Sequence, residues 1–239
     1  MKNLIKKSIT ILLISTFGLA AYAADEEVSP SDLSFSAGVK LWNSQWQASY
    51  GPYPYNSNTK PVAIYTIAGR YKDFSLSLSS LAKTTYDLSI DYQNNTTIFP
   101  SDRSEWDVNF SYFLHPNLSA SIGYKNLKFF QNTKINGPVI GLSGFAPMND
   151  NFGIYGSLGI GWLETKTISQ KYNTNYELGE VGLAYSFDKK PSFVKGLTAT
   201  VGYRFQKLTA NKTHETSNGG KHDSRDTTSG LTIGLIGSF

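Results

Sequence analysis

SGLTIGLIGSF, at residues 229–239, alternates between large apolar side chains and small or polar ones. Successive side chains of a β-strand point to opposite faces, so the pattern predicts a strand with one apolar face and one small, polar face. The apolar face carries Leu231, Ile233, Leu235 and Phe239. Because chain ends usually carry polar residues, this stripe requires an apolar partner, which is either a second sheet or lipid.

The same period of two recurs along the chain. It is clearest in RSEWDVNFSYFL at 103–114, LSASIGYKN at 118–126, NFGIYGSLGIGW at 151–162 and GLTATVGYRF at 196–205. The polar face of these segments consists mostly of Ser, Thr, Gly and Asn, with few charges. A soluble sandwich would expose many charges on that face, whereas a narrow closed barrel takes small polar residues inside and lipid outside. The pattern therefore favours lipid, rather than a second sheet, as the partner of the apolar face.

The start of the chain has the composition of an export signal. Residues 1–23 combine a positive start, an apolar run and a small-x-small site, AYA at 21–23, which is typical of a cleaved secretory signal peptide. The alternative is a membrane anchor, but the apolar run is shorter than the ~20 residues of a spanning helix. We therefore expect residues 24–32 to form a short periplasmic segment and residues 33–239 to form the barrel.

Composition excludes several classes of protein. Of 22 Lys and Arg residues, three lie in the predicted signal peptide, so that 19 remain against 18 Asp and Glu. A net charge of about +1 gives no polycationic surface for nucleic acid. The absence of cysteine excludes disulfides and a lipid-modified N-terminus. An exported chain with 15 Tyr, 14 Phe and 21 Gly, and no apolar run for a membrane helix after residue 23, is typical of an outer-membrane β-barrel.

The fold prediction is thus an all-β protein, a single transmembrane antiparallel barrel. Ten strands are expected, with eight or twelve as alternatives, at 33–49, 61–71, 74–92, 103–114, 118–130, 137–146, 152–166, 175–187, 196–210 and 227–239. An even number places both termini on the periplasmic side. The third strand is the least regular, because Ser80, Ala82 and Thr84 interrupt its apolar face.

The connections are predicted to be of two kinds. Short periplasmic turns rich in Pro, Asn and Asp are expected at 71–73, 115–117, 147–151 and 188–195, with flanking aromatics that suit a membrane interface. Longer extracellular loops are expected at 51–60, 93–102, 131–136, 167–174 and 211–226.

A family resemblance rests on these features together with GYK at 123–125, GYR at 202–204, GPVIGLSGFAPMNDNFGIYGSLGIG at 137–161 and the terminal Phe239. The chain resembles small Gram-negative outer-membrane β-barrel proteins, the broad grouping that includes the OmpA- and OmpW-like barrels. The resemblance covers nearly the whole mature chain and is specific for architecture. It implies that the apolar stripe of the last strand is the signal read by the barrel-assembly machinery. Gly237 departs from the family pattern, in which an aromatic or bulky apolar residue is common there.

Catalytic motifs are sparse. His115 lies in a predicted periplasmic turn, and His214 and His222 lie in the predicted loop 211–226, where a solvated loop is the simpler interpretation. The chain has no G-x-S-x-G elbow, Walker motif, zinc-spaced pair or EF-hand loop. We therefore expect no enzyme and no cofactor or metal, and an omptin-like surface hydrolase is the least favoured alternative.

Seven charged side chains share the polar parity and are expected to face the lumen. They are Lys40, Arg70, Glu105, Asp107, Lys125, Glu180 and Arg204. Buried charges must be paired to be tolerated, so the favoured interpretation is a plug of paired charges in a narrow lumen. The alternative is a small, weakly selective pore lined by the same groups.

The expected function is therefore that of a structural or surface-contact barrel of the Gram-negative outer membrane. Its expected partners are outer-membrane lipid, lipopolysaccharide and the barrel-assembly machinery, with no nucleic acid. The sequence names no extracellular ligand.

Overall fold

The computed structural model describes residues 14–15, 18–19, 33–50, 53–92, 95–129, 133–168, 170–215 and 221–239. Ten long strands dominate: β1 (Leu33–Tyr50), β2 (Lys60–Tyr71), β3 (Phe74–Tyr92), β4 (Asn95–His115), β5 (Leu118–Phe129), β6 (Thr133–Pro147), β7 (Phe152–Lys166), β8 (Lys171–Ser186), β9 (Gly196–Glu215) and β10 (Lys221–Ser238). The predicted number and order of strands are confirmed.

Two smaller elements accompany them. A short strand, Tyr53–Ser57, pairs with β1 and β3. Ile14–Ser15 and Gly18–Leu19 pair with each other in a separate ladder. The rest of the predicted signal peptide and the predicted segment 24–32 lie outside the described residues. The described part of the chain contains no helix long and apolar enough to span a membrane.

The sheet closes on itself. Each long strand pairs antiparallel with the next, and β10 pairs with β1 from Ser238↔Ser36 to Arg225↔Ser49. The amide of Phe239 extends this seam by donating to the carbonyl oxygen of Phe35 at 2.9 Å. Closure pairs the strands that would otherwise be exposed edges. We call the end with Leu33 and Phe239 the turn end and the opposite end the loop end.

The exterior of the barrel is apolar. The stripe that ends the chain faces outward, with Leu231 58% and Ile233 64% exposed. Its counterparts on other strands include Leu41, Ile67, Leu76, Phe110, Ile122, Leu142, Leu158, Val181 and Val201, all exposed. An apolar surface that runs around the whole barrel is far larger than soluble monomers expose. It is the lipid-facing band of a transmembrane β-barrel fold.

The irregularity of the third predicted strand has a structural cause. The β3–β4 register shifts at a bulge between Leu81 and Thr84. Before the bulge Ser79 and Leu81 are buried inside, and after it Tyr86 and Leu88 are buried inside instead. An extra residue moves every later side chain to the other face, so one alternation cannot describe the whole strand.

The prediction that 93–102 and 211–226 form long loops is wrong. The β3–β4 ladder continues to Tyr92↔Asn95 and the β9–β10 ladder to Glu215↔Lys221, so most of 93–102 and 211–226 is strand. Both segments are mostly polar in sequence, so no alternation of apolar and polar residues marks them as strands. Conversely, the turn end carries a long connection between β8 and β9, from Phe187 to Lys195.

The aromatics at the turn end divide between the two faces. Tyr71, Phe74 and Phe152 are exposed outside, as expected of an interface belt. Phe113 is 5% exposed and faces the lumen, and Phe145 packs on an inner cluster with Tyr155. Phe113 and Phe145 therefore do not belong to the outer belt.

Candidate functional site in the barrel lumen

The lumen is filled in layers along the barrel axis. Near the turn end its wall consists of buried small polar side chains, among them Ser36, Thr66, Ser77, Ser111, Ser119, Ser143, Thr198 and Ser238. Charged side chains follow further along the strands. On the loop-end side of Lys40, Lys125 and Glu180 the inward residues become apolar and form one cluster. Its members include Trp42, Trp46, Val62, Leu81, Tyr86, Leu127, Phe129, Ile135, Leu163, Tyr176, Leu178 and Leu208.

One charged group centres on Glu180 of β8. Lys40 donates to Glu180 Oε1 across the lumen, and the hydroxyl of Tyr155 donates to the same oxygen at 3.0 Å. Arg204, the strand partner of Glu180, forms an ion pair with Oε2 at 3.5 Å, which is longer than a hydrogen bond. One carboxylate thus faces two cations.

A second charged group centres on Glu105 of β4. Arg103 donates to Glu105 Oε1 from Nη2 at 2.7 Å and from Nε at 2.9 Å. Lys125 Nζ lies 2.9 Å from the other oxygen, which also accepts from Gln206 Nε2 at 3.0 Å. Lys125 further contacts Asp107 Oδ2 at 3.3 Å, and Arg103 contacts Asp226 Oδ1 at 3.4 Å. Both oxygens of Glu105 are therefore held by cations.

Aromatic rings cover these groups. Trp46 Nε1 donates to Asp226, and the Arg103 guanidinium lies 5.5 Å from the centroid of the same ring. Arg204 lies 5.0 Å from the Trp42 ring and Lys125 lies 5.3 Å from the Tyr176 ring. Cations over aromatic faces are attracted by the ring quadrupole. The rings thus lie against the cations inside the barrel and stabilise them.

The structure brings six of the seven predicted charges into this network: Lys40, Glu105, Asp107, Lys125, Glu180 and Arg204, all buried. Arg70 shares their parity but lies near the turn end, where its Nε donates to the Lys72 carbonyl oxygen and its guanidinium lies 3.8 Å from the Phe113 ring centroid. It is outside the network.

Sequence reasoning missed two members, Arg103 and Asp226. Arg103 has the parity of Glu105 but begins the predicted strand 103–114, while Asp226 was placed in a predicted loop. Asp226 has the parity of Thr228, so extending the alternation past the apolar residues would have found both. With them, the network contains four cationic and four acidic side chains.

The three histidines lie at the two ends of the barrel. His115 Nδ1 accepts a hydrogen bond from the Asn117 amide at 3.2 Å at the turn end. His214 and His222 are backbone partners in the β9–β10 ladder, but their side chains lie outside the described part of the structure. Among the described residues no cluster of His, Asp and Glu could hold a metal ion.

A pocket of about 320 Å³ opens at the loop end of the lumen. Phe129, Ile135 and Leu208 give it an apolar wall, and Asp226 also lines it. Its volume is at the lower end of the range for small-molecule sites. Its lining residues do not include Trp42, Glu105 or Glu180.

Tyr155 depends on two glycines. Gly182 and Gly202 are partners on β8 and β9, and a Cβ on Gly202 would lie 2.5 Å from Tyr155 Oη and 2.7 Å from the Val181 carbonyl oxygen. We expect Gly202→Ala to lower the free energy of unfolding by about 1–3 kcal/mol because it overpacks this contact. Urea titration of the refolded protein, followed by tryptophan fluorescence, would measure it.

Gly144→Ala is the matched control, since a Cβ there meets nothing within 4 Å. Equal unfolding midpoints for the two variants would contradict the role of the glycine pair.

These features define the class of fold: a ten-stranded transmembrane β-barrel of the outer-membrane type. The chain is similar to the outer membrane protease OmpT from Escherichia coli, with a TM-score of 0.52 and 11% identity over 88% of this chain and 98% of that chain. It also aligns with the translocator domain of the autotransporter NalP from Neisseria meningitidis, with a TM-score of 0.39 and 12% identity over 89% and 90% of the two chains. No family model and no curated protein sequence matches it. At 11% identity, the likeness to OmpT shows the fold alone.

Proposed function

We propose that this protein is a non-catalytic barrel of the Gram-negative outer membrane with a structural or surface-contact role, its termini periplasmic and its lumen closed. The observation that carries the proposal is the buried network around Glu105 and Glu180, covered by Trp42, Trp46 and Tyr176. Four cations and four acids compensate one another without a solute. The apolar exterior supports a location in lipid.

The proposal includes the partners expected from the sequence. Outer-membrane lipid and lipopolysaccharide surround the apolar band, and the barrel-assembly machinery recognises the last strand. The motifs at 123–125 and 202–204 support a place in the OmpA- and OmpW-like grouping.

A small pore is the second candidate function. The observation in its favour is the half of the lumen near the turn end, where the hydroxyls of Ser121 and Ser157 are buried without a hydrogen-bond partner in the structure. Such groups are usually satisfied by water, so this half suits a hydrated vestibule.

A surface hydrolase is the third candidate function. It would be excluded if the double variant His214→Ala with His222→Ala left any detected activity intact.

Planar-bilayer recording tests closure. We expect folded wild-type protein to give no steady channels, because the charged and aromatic layers block the lumen. The double variant Arg103→Ser with Glu105→Ser removes one cation, one acid and much side-chain volume, and should conduct. Heat-modifiable gel mobility checks that both proteins are folded. Steady wild-type channels at low protein concentration would overturn the closed lumen and favour the pore.

A further inference from the structure

Four lysines stand side by side on the outer face of the barrel near the loop end. The strand register places Lys128 opposite Lys134, Lys134 opposite Lys166, and Lys166 opposite Lys171. The residues next to them, including Leu127, Phe129, Ile135 and Thr165, are buried inside, so the lysines point outward. We call these four residues the lysine row.

The lysine row is only partly compensated by negative charge. Like charges directly opposite one another destabilise a sheet, yet within the described part of the chain only Lys166 has a carboxylate partner, Glu164 at 2.9 Å. Two other outward lysines near this end are paired, Lys207 with Glu177 at 3.0 Å and Lys83 with Asp102 at 2.7 Å. Glu164 also interacts electrostatically with Lys171, so the four lysines share one carboxylate. The lysine row therefore keeps a net charge of +3 over the four adjacent strands β5 to β8, which calls for an anion that the described residues do not supply.

The height of the lysine row indicates what that anion belongs to. Trp106, Tyr124 and Trp162 are exposed on the outer face, and aromatic girdles mark the interfaces of a membrane barrel. Lys128 and Lys166 come four residues after Tyr124 and Trp162 on the same strands, about 13 Å along the strand at ~3.3 Å per residue. With strands tilted by about 35–45°, this is about 10 Å along the membrane normal toward the loop end. That distance puts the lysines above the acyl chains, at the level of headgroups.

We propose that the lysine row binds a lipid headgroup that carries at least two phosphates, in the leaflet at the loop end. The inference rests on the proposed function, since it needs a barrel that spans a membrane. Four cross-strand partners about 5 Å apart form a row of roughly 15 Å, which is too long for one phosphate and suits two joined by a sugar. Lysine binds phosphate as a point charge, so the lysine row does not need the fixed bidentate geometry of an arginine site.

Lipid retention by the folded barrel in detergent micelles tests the inference, with native mass spectrometry as the readout. The probes are bisphosphorylated lipid A, monophosphorylated lipid A, phosphatidylcholine and inorganic pyrophosphate. The variant is Lys128→Gln/Lys134→Gln/Lys171→Gln. The matched control is Lys72→Gln/Lys189→Gln/Lys195→Gln, which makes the same change in charge at the turn end.

We expect the lysine-row variant to bind bisphosphorylated lipid A roughly 100-fold more weakly than wild type, since each basic residue near a charged surface contributes several-fold. The control should match wild type, and monophosphorylated lipid A should show a smaller loss. Equal retention by the two folded triple variants would overturn the proposal. Binding of pyrophosphate with no preference for the lipid would overturn its lipid part.

Failure of the proposed function would give a different result. A chain that does not form a membrane barrel would lack the heat-modifiable folded band in every variant and would retain none of the lipids. If the barrel folds and retains lipid equally well with and without the lysine row, only the proposed headgroup site is contradicted.

Discussion

Replacing Glu105 with glutamine is expected to lower the free energy of unfolding by about 3–5 kcal/mol, the range for breaking a buried ion pair by removal of one partner. The shape of the side chain is kept, but Arg103 and Lys125 lose the carboxylate that both contact. Asp107 and Asp226 remain, at the longer distances of 3.3 and 3.4 Å. Two buried cations, Arg103 and Lys125, are then left with less compensating charge.

Urea titration in detergent micelles would measure this loss. Glu177→Gln is the matched control, because it makes the same chemical change in an ion pair, with Lys207, that is partly exposed. Such surface pairs contribute about 0–1 kcal/mol. Adding Lys125→Met to Glu105→Gln should recover part of the stability, since it restores equal numbers of cationic and acidic side chains in the network, three of each. A similar small loss for Glu105→Gln and Glu177→Gln would contradict the central place of Glu105.

The fold was predictable because lipid and lumen impose opposite polarities on successive residues. Wherever both environments act, as at 118–126 and 196–205, the alternation indicates the strand. The prediction failed where apolar residues are scarce. In 93–102 and 211–226 most residues are polar, so the sequence has no period of two there, although most of both segments is strand. At the β3 bulge the period persists but its phase changes.

The candidate site was only partly predictable for a related reason. The alternation assigned Lys40, Glu105 and Glu180 to the lumen. It does not show how far along the barrel axis each side chain lies, or which side chain it contacts. The apolar layer was missed because apolar residues were attributed to lipid. Leu127 and Leu178 have the parity of Lys125 and Glu180, which is a signal for an apolar interior. Pairing across the lumen, such as Lys40 with Glu180, depends on barrel closure and could not be obtained from local spacing.

Deleting Phe239 is expected to reduce the amount of protein in the outer membrane to a small fraction of the wild-type level. The fold itself should tolerate the deletion. Phe239 contributes backbone hydrogen bonds with Phe35 at the end of a seam that continues to Arg225↔Ser49. Full burial of a Phe side chain is worth ~1.5–3 kcal/mol, and this one is 42% exposed. The shortened protein should therefore refold in detergent micelles, with a heat-modifiable band on gels.

The effect in cells follows from the proposed second role of the stripe Leu231, Ile233, Leu235 and Phe239, which is recognition by the assembly machinery. A chain that is not recognised stays in the periplasm, where proteases degrade it. Phe35→Ala is the matched control, because it removes an exposed aromatic from the same seam without changing the stripe. Its membrane level should stay close to wild type, measured by fractionation and immunoblotting. The ring of Phe239 lies 3.5 Å from where a Cβ of residue 237 would stand, so it already covers the place that Gly237 leaves without a side chain. Equal membrane levels for the deletion and for Phe35→Ala would contradict the role of Phe239 in assembly and leave it only a lipid-facing position.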